Sequence, residues 1–181
     1  ILVKGNGQFL YTLASVIDDS DFGVTDVVRG IDHLTNTAVQ IEIFRNLSAG
    51  LPVFGHHSLI VDNSGENFSK RSGSLSIKSL KEAGIEAGAI VSKLVSLGTG
   101  DGLDLKNNIN ELTPKFELKK FSTAPVKFEK EVLQTISRKL LANLSVSEIF
   151  PYLDLIGIPD NIKENFWIMA KDNINSKDDL V

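Results

Sequence analysis

The chain has 181 residues, 42% of them apolar, with 19 Lys and Arg against 23 Asp and Glu and a net charge of −4. That supplies apolar material for one sizeable domain or two small ones, and the absence of cysteine excludes disulfides and thiolate metal sites. No apolar run approaches the ~20 residues needed to cross a bilayer, and no charged-then-apolar leader precedes the first element, so a soluble cytoplasmic protein with no membrane partner is expected. With three histidines, two of them adjacent (His56 and His57), no protein-bound zinc or other metal site is expected. The first residue is Ile1 rather than Met, and the chain is read as a piece of a longer protein.

The pattern predicts a strand over Phe9 to Tyr11 and a short helix over Leu13 to Phe22, ended by Gly23. Val24 to Val28 is a β-branched run that predicts a buried strand ending at Arg29-Gly30. A strong helix follows, with Thr35 as its cap, apolar positions at Ala38, Val39, Ile41, Ile43, Phe44 and Leu47, and a stop at Gly50 and Pro52. Phe54 to Val61 predicts a further strand and Asn63-Ser64-Gly65 a tight turn. Strands alternating with helices imply a parallel sheet with crossover helices, whose ligands sit beyond the carboxyl ends of the strands.

From about Ile77 the pattern is helical only. Ile85, Ala89, Ile90, Leu94, Val95 and Leu97 give one apolar face ended by Gly98, and Thr99 to Asn108 is a polar loop. Phe128, Val132, Leu133, Ile136, Leu140, Leu141 and Leu144 mark an amphipathic helix. A last helix starts near Pro159 and buries Ile162, Phe166 and Trp167, with Met169 as a further candidate; this cluster is read as core rather than as a base-stacking platform. The fold class is therefore α/β followed by all-α.

Charge is unevenly spread. Residues 1–66 hold 3 Lys or Arg against 8 Asp or Glu, residues 67–143 hold 13 against 8, and residues 144–181 hold 3 against 7. The basic middle suits a surface facing phosphate backbone, although lysines scattered on helix faces can equally be merely solvated.

Five residues stand out, Asn67-Phe68-Ser69-Lys70-Arg71, followed by Ser72-Gly73-Ser74. Two adjacent cations on a Gly-flanked loop suit a polyphosphate whose charge moves during reaction. Arg29 is the second candidate: an arginine after a buried strand needs either a carboxylate such as Asp19 or Asp32, or an anionic ligand. Asp32 and His33 read either as an acid/base pair or as a helix cap beside a surface histidine. Tyr11 reads as core or as site.

Tyr11 to Asp19 reads Tyr-Thr-Leu-Ala-Ser-Val-Ile-Asp-Asp, and Arg29 to Thr37 reads Arg-Gly-Ile-Asp-His-Leu-Thr-Asn-Thr. With the Ser-Lys-Arg loop, these segments resemble in order and spacing the second half of the catalytic domain of the bacterial glutamyl-tRNA synthetases, which are class I aminoacyl-tRNA synthetases. The loop is similar to that class's second signature, written Lys-Met-Ser-Lys-Ser or Lys-Leu-Ser-Lys-Arg.

The resemblance implies three regions. Residues 1–75 would be the carboxyl half of a Rossmann-like catalytic domain, 76–145 a helical stem-contact domain touching tRNA, and 146–181 the start of a helical anticodon-binding domain. It implies a monomeric ligase that activates L-glutamate with ATP and Mg2+ and charges tRNA-Glu, with tRNA-Gln left open. Lys70 matches the catalytic lysine; Ser69, Lys70, Arg71 and His33 match ATP contacts; Arg29 and Tyr11 match the glutamate pocket. The first ATP signature, of His-Ile-Gly-His type, is absent from these residues, so this fragment is expected to be inactive alone.

Three departures stand out: Asn67 in place of the signature's first lysine, Ile31 in place of an acidic residue, and Thr99 in place of a tryptophan. They suit a divergent member with relaxed tRNA choice, or a non-catalytic tRNA-binding relative. Glutaminyl-tRNA synthetases continue into β-barrels after the loop, and the helical pattern of residues 128–170 argues against them. The shorter enzymes that glutamylate a tRNA base lack so long a tail.

Overall fold

The computed structural model describes residues 1–67 and 76–181. They form two compact units, one of Ile1–Leu59 with Phe121–Val126, the other of Ile60–Lys120 with Lys127–Val181. The residues Phe68, Ser69, Lys70 and Arg71 lie outside the described residues.

The first unit opens with an antiparallel bridge between Val3 and Phe9, then α1 (Tyr11–Asp21). The expected Phe9–Tyr11 strand is therefore a single bridged residue with a helix starting at Tyr11. A three-residue apolar run cannot distinguish strand from helix entry, and the Leu10 carbonyl accepts from Leu13 and Ala14, which commits the chain to the helix. Gly23, at φ +64°, ends the turn after α1, a conformation that costs glycine nothing.

Strand β1 (Asp26–Gly30), a 3-10 turn (Ile31–His33), α2 (Leu34–Asn46) and β2 (Val53–His57) follow. β1 and β2 pair in parallel from Asp26 opposite Val53 to Gly30 opposite His57, with α2 as their crossover. Thr35 does not cap α2, because the 3-10 turn runs straight into the helix one residue earlier. Nor is β1 buried: Val28 is 50% and Val53 69% exposed, since among the described residues each strand has one neighbour. The expected Phe54–Val61 strand breaks at Ser58, whose carbonyl bonds His57 Nδ1 at 2.8 Å, and pairing resumes only at β3 (Ile60–Val61). α1 packs on α2, with Val16 and Phe44 fully buried.

In the second unit, Asp62 Oδ1 accepts from the backbones of Ser64 and Glu66, closing the predicted Asn63-Ser64-Gly65 turn with Gly65 at φ +88°. Asn67 then bridges back to Val61. Next come α3 (Ile77–Glu82), α4 (Ala87–Ser96), α5 (Ile109–Leu112), the two-residue β4 (Val126–Lys127), α6 (Lys130–Ala142), α7 (Val146–Leu155) and α8 (Asp160–Ala170). One core joins Leu80, Ile85, Ala89 and Ile90 to Phe128, Leu133, Ile136 and Leu140. A second joins Leu141, Ile149, Leu153, Trp167 and Ile174. Trp167 is core as expected, its Nε1 donating to the Leu144 carbonyl at 3.0 Å. Met169 and Ile162 are exposed instead, because they fall on the outer side of α8.

Helix α7 carries a helical apolar spacing at Val146, Ile149, Phe150 and Leu153, with Pro151 inside it. Its start was readable: Ser145 and Glu148 form a reciprocal capping box. Lys163 ties α7 to α8 by pairing with Asp154 and Asp160 and lying over the Phe150 ring, 5.3 Å from its centroid. No helix among the described residues is long and apolar enough to cross a membrane.

Candidate active site

Arg29 sits near the carboxyl end of β1, opposite His56 on β2. Its side chain is half-buried, and its guanidinium lies over the Phe54 ring, 5.4 Å from the centroid. Nη2 donates to Thr37 Oγ1 and to Gln40 Oε1, each at 2.5 Å. Both acceptors are neutral and buried on α2. Gln40 in turn donates to Ser15 Oγ on α1 at 2.6 Å. Among the described residues Arg29 has no carboxylate partner within ion-pair distance, and its Nε is buried without an acceptor. The ion pair with Asp19 or Asp32, allowed by the sequence, is not formed. A cation held by neutral acceptors keeps its charge available to an anion.

Around it, Thr37 Oγ1 donates to the His33 carbonyl at 3.1 Å and meets His56 Nε2 at 2.8 Å. Burial, with the Arg29 charge adding to it and His33 and His57 contributing less, holds His56 below the ordinary histidine range. The shift favours the neutral ring. The Tyr11 and His33 rings are neighbours, with centroids 6.0 Å apart and planes tilted by 60°. Tyr11 is 54% exposed, so it is a surface residue beside the site rather than core. Asp32 makes no capping bond and stands 4.0 Å from His33 Nε2, too far for a hydrogen bond.

The structure thus brings Tyr11, Arg29 and His33 into one neighbourhood, and adds Ser15, Thr37, Gln40 and His56. Thr37 and Gln40 stand three apart on one face of α2, within a helix otherwise read by its apolar positions. That polar pair was the available signal. Lys70, Ser69 and Arg71 lie outside the described residues. No group of three or more His, Cys, Asp or Glu among the described residues could hold a metal ion.

Much of the basic stretch is internally paired. Lys78, Lys106, Lys115, Lys119 and Lys120 each meet a carboxylate of the second unit. Lys81, Lys93, Lys127, Lys130, Arg138 and Lys139 form no ion pair among the described residues, and Arg138, Lys139 and Lys171 line a cleft of about 300 Å³.

The family model described as tRNA synthetases class I (E and Q), catalytic domain, matches residues 1–135. The chain belongs to that family. Glutamate-tRNA ligase 2 of Ruegeria sp. (strain TM1040) is 45% identical over 180 residues, 99% of this chain and 41% of its own length. Glutamate-tRNA ligase 1 of Paracoccus denitrificans (strain Pd 1222) is 42% identical over the same shares. The solved glutamate tRNA ligase of Elizabethkingia meningosepticum CCUG26117, in complex with its amino acid, superposes with a TM-score of 0.79 at 23% identity, over 99% of this chain and 41% of that one. The glutamate-tRNA synthetase of Elizabethkingia anophelis gives 0.77 at 22% over the same shares. The chain of this synthetase family member spans about two-fifths of the length of the relatives it matches. Its mixed helix-and-sheet architecture is that of the class I catalytic domain.

Proposed function

We propose that the chain is part of a glutamate-tRNA ligase, an enzyme that uses ATP to convert L-glutamate to glutamyl-adenylate and then esterifies the 3′ end of tRNA-Glu. Arg29 carries this reading. It is a partly buried guanidinium at the end of a parallel strand, held by neutral acceptors and facing no carboxylate among the described residues. The relatives' name supplies the matching anion, the side-chain carboxylate of glutamate. Neutral glutamine at such a site would leave the cation unpaired, which is the basis of strong discrimination. Tyr11 and His33, whose rings are neighbours and whose link to Arg29 runs through Thr37 and the His33 carbonyl, are assigned to the amino acid and the adenosine respectively.

Adenylation is an in-line attack of the substrate's α-carboxylate on the α-phosphate of ATP, with negative charge growing on the phosphate oxygens and the leaving pyrophosphate. Lys70 is assigned to that charge, with Ser69 and Arg71 shaping the loop and contacting phosphate. Removing one such contact typically costs ~3–4 kcal/mol of transition-state stabilisation. Mg2+ would arrive with the ATP phosphates. Residues 76–145 are assigned to a stem-contact domain and 146–181 to the start of an anticodon-binding domain. Lys127, Lys130, Arg138 and Lys139, without an ion pair among the described residues, are candidate contacts to tRNA phosphates, giving binding that weakens steeply with salt. A monomeric state and a cytoplasmic location complete the reading, and the choice between tRNA-Glu alone and tRNA-Glu with tRNA-Gln is left open. The fragment alone is proposed to be inactive, for want of the first ATP signature.

The test is tRNA-dependent ATP–pyrophosphate exchange by the full-length protein, with and without Lys70→Ala. Glutamate-dependent exchange that collapses in the variant supports the enzyme. No exchange by the intact protein at any tRNA concentration rejects it in favour of the non-catalytic tRNA-binding relative.

A further inference from the structure

A guanidinium grips a carboxylate with two parallel bonds in one of two ways, end-on through both terminal nitrogens or side-on through Nε and one terminal nitrogen. In Arg29 the terminal nitrogen on the Nε side is Nη2, so Nη2 takes part in both grips. It has two protons. One goes to Thr37 Oγ1 and the other to Gln40 Oε1, each at 2.5 Å. The third donor, Nε, is buried. Among the described residues Nη1 alone has neither a partner nor a burial block.

We propose that Gln40 and Thr37 are the positioning residues of the substrate-carboxylate site, anchoring Arg29 through Nη2 so that Nη1 makes a single-point contact with the bound carboxylate. This rests on the glutamate reading of Arg29 and replaces the two-point clamp that arginine's shape suggests. The anchor is built from three elements. Gln40 is 2% exposed and is itself held by Ser15 of α1. Thr37 is 5% exposed, and its hydroxyl is fixed by the His33 carbonyl and His56 Nε2 as well as by Arg29. The Phe54 ring lies against the guanidinium and restricts its tilt. Two buried neutral acceptors orient the cation without spending its charge, which a carboxylate in either place would do.

The experiment uses the full-length protein with tRNA and follows ATP–pyrophosphate exchange, resolving KM for glutamate, KM for ATP and kcat. Gln40→Glu keeps the shape and the acceptor while placing a carboxylate on Nη2. It should raise KM for glutamate by about tenfold or more, because the substrate then competes with an internal anion, and leave KM for ATP within about twofold. Thr37→Val removes one anchor and should raise KM for glutamate several-fold, and Thr37→Ser, which keeps the hydroxyl, should restore it. Thermal melts of all three variants identify any that fail to fold, and Thr37→Ser against Thr37→Val keeps the comparison within one site. An unchanged or lowered KM for glutamate in a folded Gln40→Glu protein overturns the anchoring proposal while leaving the enzyme intact. Absence of wild-type exchange overturns the enzyme reading and this proposal with it.

Discussion

Trp167→Phe isolates the contribution of the single tryptophan to the second unit. Its indole is 1% exposed, packs among Leu141, Ile149, Leu153 and Ile174, and donates to the Leu144 carbonyl at 3.0 Å. Two costs follow. An indole is about 40 Å³ larger than a phenyl ring, and at about 24 cal/mol per Å³ of residual cavity the lost volume costs about 1 kcal/mol. Taking the donor from a buried carbonyl costs about 1–3 kcal/mol more. The expected loss is therefore about 2–4 kcal/mol, read by urea unfolding followed by far-ultraviolet circular dichroism, because the variant lacks tryptophan fluorescence. A loss below about 1 kcal/mol with an unchanged m-value would refute the assignment of Trp167 to the core. It would reopen the alternative in which this aromatic cluster is a surface for stacking bases.

Three further outcomes are expected. Arg29→Lys replaces a planar, anchored fork by a point charge that cannot reach Thr37 and Gln40 in the same way, so KM for glutamate should rise about 10- to 100-fold in the full-length enzyme; a change under threefold contradicts the site. Ser145→Ala removes the capping box that starts α7 and should cost about 0.5–2 kcal/mol in denaturant unfolding. His56, held below its ordinary value of 6.5, favours the neutral ring in the folded state, so its contribution is whole above that pH and is lost as pH falls through and below it. Thermal melts from pH 7.5 to 5 should fall more steeply for the wild type than for His56→Gln; equal slopes would contradict the sign.

Several elements were readable without coordinates. The apolar spacing of α4 and α6, the stop at Gly98 and the turn at Asn63-Ser64-Gly65 all depend on neighbours three or four residues away, and local chemistry decides them. The same holds for the strand ending at Arg29 and the helix that follows it. Errors fell where a segment's state depends on what lies beside it. Phe9 to Tyr11 is apolar enough for a strand, yet bridges at one residue because helix α1 takes over at Tyr11. The β1 run looks buried, yet leaves Val28 half exposed because a single strand lies beside it among the described residues.

The Arg29 site divides in the same way. Side-chain type alone determines that a guanidinium at the end of a strand must find an anion or an acceptor, because desolvating an uncompensated charge is costly. Which of the two it finds depends on residues 8 and 11 positions further on and on Ser15 from another helix. Helix and strand periodicities reach across a few residues, whereas the hydrogen bonds that orient Arg29 exist only once α1, α2 and β2 have packed together. Composition named the cation; the crossover from β1 through α2 to β2 chose neutral partners for it and so left its charge unspent.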